Sequence, residues 1–269
     1  MVRKYIVLIT DLGEGSPFPG IMKGVIKSIS PEAEIIDLSH QVRPYQVEEA
    51  SFLLMCNYKY FPQGTILVTV VDPEVGGKRK IVLVKTKNYF FLAPDNGILS
   101  WVLKKEKPEK IIEVKNEKYF LKPVSNTFQG RDIFAPVVGW LAKGEKIKNF
   151  GPKIDKIKKI PFPEVVHQNN RWIGKIIYID HFGNLVSNFA QEEFSKLLEQ
   201  NFSLRIKNKI FSRLSSSYSE VKKGEPCLLW DSFGFLEIAL REDNLAQQWR
   251  IKPGEKVILE IKRESAKGP

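Results

Sequence analysis

The feature that most narrows the fold is an alternation of short β-branched runs with helix-period segments between Tyr5 and Val71. Tyr5–Thr10 reads YIVLIT, Ile35–Leu38 reads IIDL, and Thr65–Val71 reads TILVTVV. Runs of this length and composition form buried strands. Between the first two, Ile21–Ser30 carries Ile21, Met22, Val25, Ile26 and Ile29 at helical spacing, and Pro31 stops it. Between the second and third, Val47–Tyr60 sets Ala50, Leu53, Leu54 and Cys56 on one helix face. Phe61-Pro62-Gln63-Gly64 then turns the chain into the third strand. Strand, helix, strand, helix, strand is the grammar of a mainly parallel sheet covered by helices.

Two of these strands stop at an acid. The first ends in Asp11-Leu12-Gly13, and the third runs TILVTVVDPEVGGKRK, with Asp72 at its end and Arg79 across a glycine loop. Open α/β sheets hold their ligands at the carboxyl ends of their strands. Taken singly, each acid is equally well a strand-end cap and Arg79 a solvated loop side chain.

Further along, Ile81–Thr86 and Tyr89–Ala93 read as a hairpin, Ile98–Leu103 as a helix and Ile111–Val114 as a strand. A polar loop, Ser125 to Asp132, leads into a helix over Ile133–Lys143 with Pro136 in its first turn. From Phe150 to Asn170, glycines and prolines fall among alternating Lys and Ile, the composition of an extended linker. Beyond it come short apolar or alternating runs: Trp172–Ile179, Ser203–Ile206, Lys209–Phe211, Pro226–Trp230, Gly234–Leu240 and Lys256–Ile261. A single short helix, Gln191–Gln200, interrupts them. The expected organisation is an N-terminal α/β domain over 1–150, a linker over 151–170, and a smaller all-β, barrel-like domain over 171–265. Asp180-His181-Phe182-Gly183-Asn184 closes the first strand of the second domain, a third acid before a glycine turn. Together the three acids suit a polyhydroxylated or cationic ligand.

Several function classes lack their signatures. No run of about 18 apolar residues exists, so no membrane helix is expected. The chain enters a strand at once and shows no signal-peptide pattern, so the cytoplasm is the expected compartment. GxxxxGK[ST], GxGxxG and GxSxG are absent. His40, His167 and His181 have no metal-ligand spacing, and Cys56 and Cys227 read as buried free thiols. The formal net charge of +11 raises nucleic acid as a partner. The lysines are scattered over surface positions without interleaved aromatics, so a solvated, thermophile-like basic surface is expected instead.

The motifs in order carry more. ITDLG followed by PFPGIMKGVI, then IIDLSHQVRPYQVEEASFLL, VVDPEVGGKRK, APDNGILS, NTFQGRDIFAP, YIDHFGNLVSN, DSFGFLEIALREDNLA and PGEKV span nearly the whole chain. They resemble successive signatures of the S-adenosylmethionine hydroxide adenosyltransferases, the adenosine-forming hydrolases related to fluorinase and chlorinase. The resemblance implies an α/β domain joined to a β-barrel-like domain and a homotrimer. It also implies a nucleoside site between the N-terminal domain of one subunit and the C-terminal domain of the next. Asp11 matches the acid that holds the ribose hydroxyls, and Tyr45 an aromatic that packs on the ligand. Phe182 and Asn184 match residues that stack on and hydrogen-bond the adenine. Asp180 matches an acid near the methionine amino group, and Ser232 and Glu237 match further C-terminal contacts. No cofactor is implied, and S-adenosylmethionine is the substrate.

In the hydrolases of this family the attacking water is served by an Asp, an Arg and a His. Asp72 and Arg79 match the first two. The third position departs: the family reads TFHGRD, this chain TFQGRD, with Gln129 in place of the His. Gln129 cannot take up a proton near neutral pH, but it can orient a water by hydrogen bonding. Glu74 after Asp72-Pro73, and Phe18-Pro19 where the hydrolases tend to have Tyr-Val, are further departures. The halogenases lack the acid of the pair and carry an inserted loop, for which the path from Arg79 to Pro94 is too short. The expected activity is therefore hydrolysis of S-adenosylmethionine to adenosine and methionine. The alternatives are a non-catalytic S-adenosylmethionine or adenosine binder on the same scaffold, and then a halogenase.

Overall fold

The computed structural model describes residues 4–261. Met1–Arg3, at the start of the expected first domain, and residues 262–265, at the end of the expected second, lie outside them. The chain divides into two compact units, the first running to Pro161 and the second from Phe162.

In the first unit, β1 (Tyr5–Thr10), α1 (Pro17–Ile29), β2 (Glu34–Ser39), α2 (Val47–Asn57) and β3 (Ile66–Val70) follow one another as the periodicity predicts. β4 (Ile81–Thr86), β5 (Phe90–Pro94), α3 (Val102–Lys105), β6 (Pro108–Glu113) and α4 (Ala135–Ala142) complete it. The sheet order is β2-β1-β3-β5-β4-β6. Its β2-β1-β3-β5 part is parallel, and β4 runs antiparallel to both β5 and β6. Strand alternation sends Ile6, Leu8, Ile66 and Val68 to one face, where Met22 and Ile26 of α1 and Val137 and Val138 of α4 cover them. Val7, Ile9 and Leu67 face the other side, under Ala50 and Leu54 of α2. A sheet covered on both faces reads as continuous apolar runs, which is why its strands stand out in the sequence.

Of the predicted helix over Ile98–Leu103 only Val102 and Leu103 are helical, as the start of α3, which runs on to Lys105. Gly97 at φ +102° and the hydrogen bond from Ile98 N–H to Asn96 Oδ1 build a turn there instead, with Ile98 and Leu99 buried in the core. The segment after Gly151 packs on this unit: Ile154 N–H donates to Ile111 O, and Ile154 and Ile157 join the α2-side core.

The second unit contains β7 (Val166–Gln168), β8 (Arg171–Ile179), β9 (Leu185–Ala190), α5 (Gln191–Leu198), β10 (Phe202–Ile206) and β11 (Lys209–Phe211). β12 (Pro226–Trp230), β13 (Phe235–Leu240), α6 (Leu245–Trp249) and β14 (Lys256–Ile261) follow. The strands pair antiparallel in the order β11-β10-β14-β8-β9-β13-β12, with β7 beside β8, giving a nearly closed, barrel-like sheet. The long β8 serves both halves: Arg171–Lys175 pair with β14, and Ile176–Ile179 with β9. The interior is filled by Ile176, Leu185, Phe189, Leu204, Leu228, Ile238 and Leu259.

Candidate functional site

The topology decides where the first unit keeps its chemistry. β2 lies on one side of β1 and β3 on the other, with α1 and α2 on opposite faces. The strand order therefore reverses at β1 and β3, a switch point at whose carboxyl edge α/β sheets form crevices. Thr10 registers with Val70, so Asp11 and Asp72 emerge side by side at that edge.

Asp11 Oδ2 accepts the backbone N–H of Tyr45 at 2.9 Å. Burial pushes the Asp11 carboxyl above its ordinary range, against the pull of backbone hydrogen bonds, and the charge of Asp72 adds to the rise. Tyr45 sits at φ +69°, a left-handed conformation uncommon for a bulky residue, and its ring is 68% exposed. The turn that carries it is closed by Glu49, buried in the first turn of α2, which accepts both the N–H and the Nε of Arg43. Strain of this kind, held by surrounding hydrogen bonds, gathers at functional sites.

Asp72 and Arg79 form a buried ion pair, with side-chain exposures of 6% and 5%. Arg79 Nε donates to Asp72 Oδ2 at 2.7 Å, and Nη2 donates to the same oxygen. Nη2 also donates to Gln129 Oε1, so residues far apart in sequence meet in one hydrogen-bonded trio. With Oε1 accepting from the guanidinium, the Gln129 amide keeps its NH₂ to offer a ligand. Gly76 locks the two loops together. It has φ +77°, and a Cβ there would come within 2.3 Å of Asn126 O. After Gln129 the chain makes a π-turn over Gly130–Phe134, with Phe128 O accepting from Arg131 and Asp132. Such turns are frequent at functional sites.

Asp11, Tyr45, Asp72 and Gln129 line one cavity of about 310 Å³, walled by Phe18, Val75 and Phe128. The Phe18 and Phe128 rings meet edge to face at 4.8 Å. The size and the few convergent polar groups suit a small-molecule site.

The other predicted residues belong to the second unit. Two of its hairpins use the same turn, Asp-x-Phe-Gly: Asp180 to Gly183 between β8 and β9, and Asp231 to Gly234 between β12 and β13. In each the glycine has positive φ, +86° and +84°, and its N–H donates to the carbonyl of the Asp. Asp180 accepts the backbone N–H of Asn184 at 2.8 Å and its Nδ2 at 3.0 Å. This leaves the Asn184 side-chain oxygen for a ligand. Phe182 stands out at 71% exposed, and Ser232 is exposed in the second turn.

Glu237 is 4% exposed and accepts the Tyr218 hydroxyl at 2.7 Å. Burial drives its carboxyl up to about 7 against that hydrogen bond, with the charges of Asp180 and Asp231 adding to the rise. Asp231 is likewise raised, chiefly by burial and further by Asp180, and its Oδ2 is buried without a hydrogen-bond partner. Tyr218 is raised by burial and by Glu237, and Cys227 is pushed up to about 11, chiefly by burial. Acids placed this close disfavour one another's ionisation. Asp231 and Tyr218 escape a reading of single motifs. Asp231 could have been found from the repeated Asp-x-Phe-Gly; Tyr218, in the stretch Ser215-Ser216-Ser217-Tyr218-Ser219, gives no pattern signal. Among the described residues no group of three or more His, Cys, Asp or Glu side chains could hold a metal ion.

The chain is thus an α/β unit with a polar cavity at its switch point, followed by a β-barrel-like unit that carries Asp180, Asp231 and Glu237 close together. Residues 6–151 match the model of the SAM hydroxide adenosyltransferase N-terminal domain, and 174–258 that of the C-terminal domain. The chain belongs to this family. It is 33% identical to the (R)-S-adenosyl-L-methionine hydrolase of Methanocaldococcus jannaschii over 90% of both chains. It is 25% identical to a fluorinase of Nocardia brasiliensis, covering 96% of this chain and 97% of that one. A crystal structure of an uncharacterized conserved protein from Thermotoga maritima, 36% identical, superposes with a TM-score of 0.88 over 94% of this chain and 99% of its own.

Proposed function

We propose that this protein hydrolyses S-adenosyl-L-methionine to adenosine and L-methionine by in-line attack of water on ribose C5′. The observation that carries the reading is the hydrogen-bonded Asp72–Arg79–Gln129 trio, whose Asp72 and Gln129 line one cavity with Asp11. The C5′–S bond breaks with its electron pair going to sulfur, so the leaving group is a neutral thioether and needs no general acid. The C5′–O bond forms from water, whose proton passes to Asp72 and from there to solvent. The protein's task is to position the water and favour its hydroxide-like form. Asp72 accepts the water's proton. Arg79 holds that carboxylate and adds positive charge, and the Gln129 amide donates to the water oxygen.

Asp11, made more basic by burial, accepts the ribose hydroxyls, and Tyr45 lies against the ligand. The free side-chain oxygen of Asn184 suits an adenine amino group, and the exposed Phe182 a base face. Asp180, with Glu237, suits the methionine ammonium, and Ser232 can donate from its turn. The family resemblance supports a homotrimer in which a neighbouring protomer's second unit completes the site. The exposure of Tyr45 and Phe182 fits such a completion. The substrate is a small nucleoside, no cofactor takes part, and neither nucleic acid nor a membrane is a partner. No helix among the described residues is long and apolar enough to cross a membrane, and Cys56 and Cys227 form no disulfide, which suits the reducing cytoplasm.

The test is incubation of purified protein with S-adenosylmethionine, with and without chloride, followed by chromatography. Both sulfonium epimers belong in the assay, because the similar hydrolase is named for the (R) form. Adenosine and methionine in equal amounts are expected. 5′-Chloro-5′-deoxyadenosine would overturn the hydrolase reading. Gln129 favours a second reading, a binder without turnover, because no imidazole stands at the water. Adenosine binding with no product after long incubation would leave that reading in place of the first.

A further inference from the structure

We infer that His40 and Thr10 form a positioning relay that sets the loop carrying Asp11, and that this relay gives the site its grip on the ribose. The inference rests on Asp11 holding the ribose hydroxyls. His40 is 4% exposed and Thr10 is fully buried, and neither touches the cavity. A buried imidazole hydrogen-bonded at Nδ1 and 3.0 Å from a carboxylate at Nε2 calls for an account, and the chemistry at C5′ does not use it.

The partners run in a chain. Asp37, at the surface, receives Lys23 Nζ at 2.7 Å. Burial works against its charge, but the hydrogen bond from Lys23 and the nearby His40 ring outweigh that and hold Asp37 below the ordinary carboxylate range. His40 Nε2 lies 3.0 Å from Asp37 Oδ1, close enough for strong attraction although off-line for a well-directed hydrogen bond. That carboxylate keeps the ring proton on Nε2. His40 Nδ1 is then an acceptor, and the Thr10 hydroxyl, 2.9 Å away, donates to it. With its proton committed, Thr10 Oγ1 turns a lone pair to the N–H of Leu12 at 3.2 Å. The His40 backbone does the same for the next residue: its carbonyl accepts Gly13 N–H at 2.8 Å. Asp11 is thus flanked by a residue that belongs to the relay, Thr10, and by two that the relay ties, Leu12 and Gly13. Its carboxylate is aimed by backbone rather than by contacts of its own side chain alone.

Each end of the relay has a separable consequence. Without the His40 acceptor, the Thr10 hydroxyl can rotate away and the Leu12 N–H loses its fixed partner. The Asp11 carboxylate then shifts against the ribose hydroxyls, while the hydrophobic walls and the Asp72–Arg79–Gln129 trio stay as they are. The loss should fall on recognition of the 2′-hydroxyl and leave the rest of nucleoside binding in place.

The experiment compares adenosine with 2′-deoxyadenosine by calorimetry on the full-length protein. Wild type should prefer adenosine by about tenfold or more, the worth of a hydrogen bond to a charged group. His40→Ala and Thr10→Val should bring that preference close to unity, while 2′-deoxyadenosine affinity stays within about twofold, which also reports an intact fold. Thr10→Ser keeps the hydroxyl, and His40→Asn keeps an acceptor near the Nδ1 position, so both should restore the preference. Retention of the wild-type preference in His40→Ala and Thr10→Val overturns the relay. Equal loss of both nucleosides in all four variants marks a merely structural role and also overturns it. A wild type that does not distinguish the two nucleosides removes the ribose role of Asp11 itself, and the relay with it.

Discussion

Replacing Glu237 by Gln should make the second unit more stable at neutral and higher pH and leave it nearly unchanged at low pH. The carboxyl has an ordinary value of 4.5 and is lifted to about 7 by burial and by the charges of Asp180 and Asp231. At ~1.4 kcal/mol per pH unit, that difference means the ionised form is disfavoured in the fold by about 3 kcal/mol. The sign follows from which state binds the proton more tightly. Below pH 4.5 Glu237 is neutral in both states, and its contribution is fully present. As pH rises toward 7 the unfolded chain ionises first, and that contribution is lost. Gln keeps the acceptor for the Tyr218 hydroxyl and carries no charge at any pH. The assay is urea unfolding from about pH 4 to pH 8, read by amide exchange in peptides from β12 and β13. The free-energy difference between variant and wild type should grow by about 3 kcal/mol in favour of the variant across that range. A difference that stays flat, or that turns against the variant as pH rises, would refute the buried, repelled carboxylate.

Other perturbations act on the first unit. Gln129→His should raise the rate of adenosine formation at least tenfold, since a positioned base is worth roughly 10²-fold or more; a flat or lower rate in steady-state kinetics would mean that the pocket is built around the amide. Gly76→Ala forces a Cβ against Asn126 O and a left-handed alanine, so the Asp72 and Gln129 loops must part. Turnover should fall by roughly 10²-fold, beyond what a modest loss in melting temperature explains. Tyr45→Gly should relieve left-handed strain worth about 1 kcal/mol and leave stability level or slightly higher, while adenosine affinity by calorimetry drops several-fold. Unchanged affinity would remove Tyr45 from the ligand's surface.

How far the sequence could be read varied with physical cause. β1, β3 and the helices between them were plain because buried parallel strands leave unbroken apolar runs. β9 was not, since its LVSNFA contains Ser187 and Asn188. Both are buried and satisfied: Ser187 donates to Leu236 O, and Asn188 accepts from Lys175 N–H, so polar residues disguise an interior strand. Asp11 and Asp72 were legible as acids at strand ends. Their adjacency was not, because it depends on β2 taking the outer place and leaving β1 beside β3. Family motifs supplied Gln129 as a site residue, but the turning of its carbonyl to Arg79 is a fact of packing between distant loops. The boundary near Phe162 falls inside the predicted linker, whose first part adds apolar side chains to the first unit's core.

The most direct test of water attack at C5′ is hydrolysis of S-adenosylmethionine in heavy-oxygen water, with mass spectrometry of the nucleoside product. Adenosine carrying the heavy oxygen in its 5′-hydroxyl, formed by wild type and nearly lost in Asp72→Asn, is the predicted result. Unlabelled adenosine, a 5′-halogenated nucleoside, or no nucleoside at all would contradict the account.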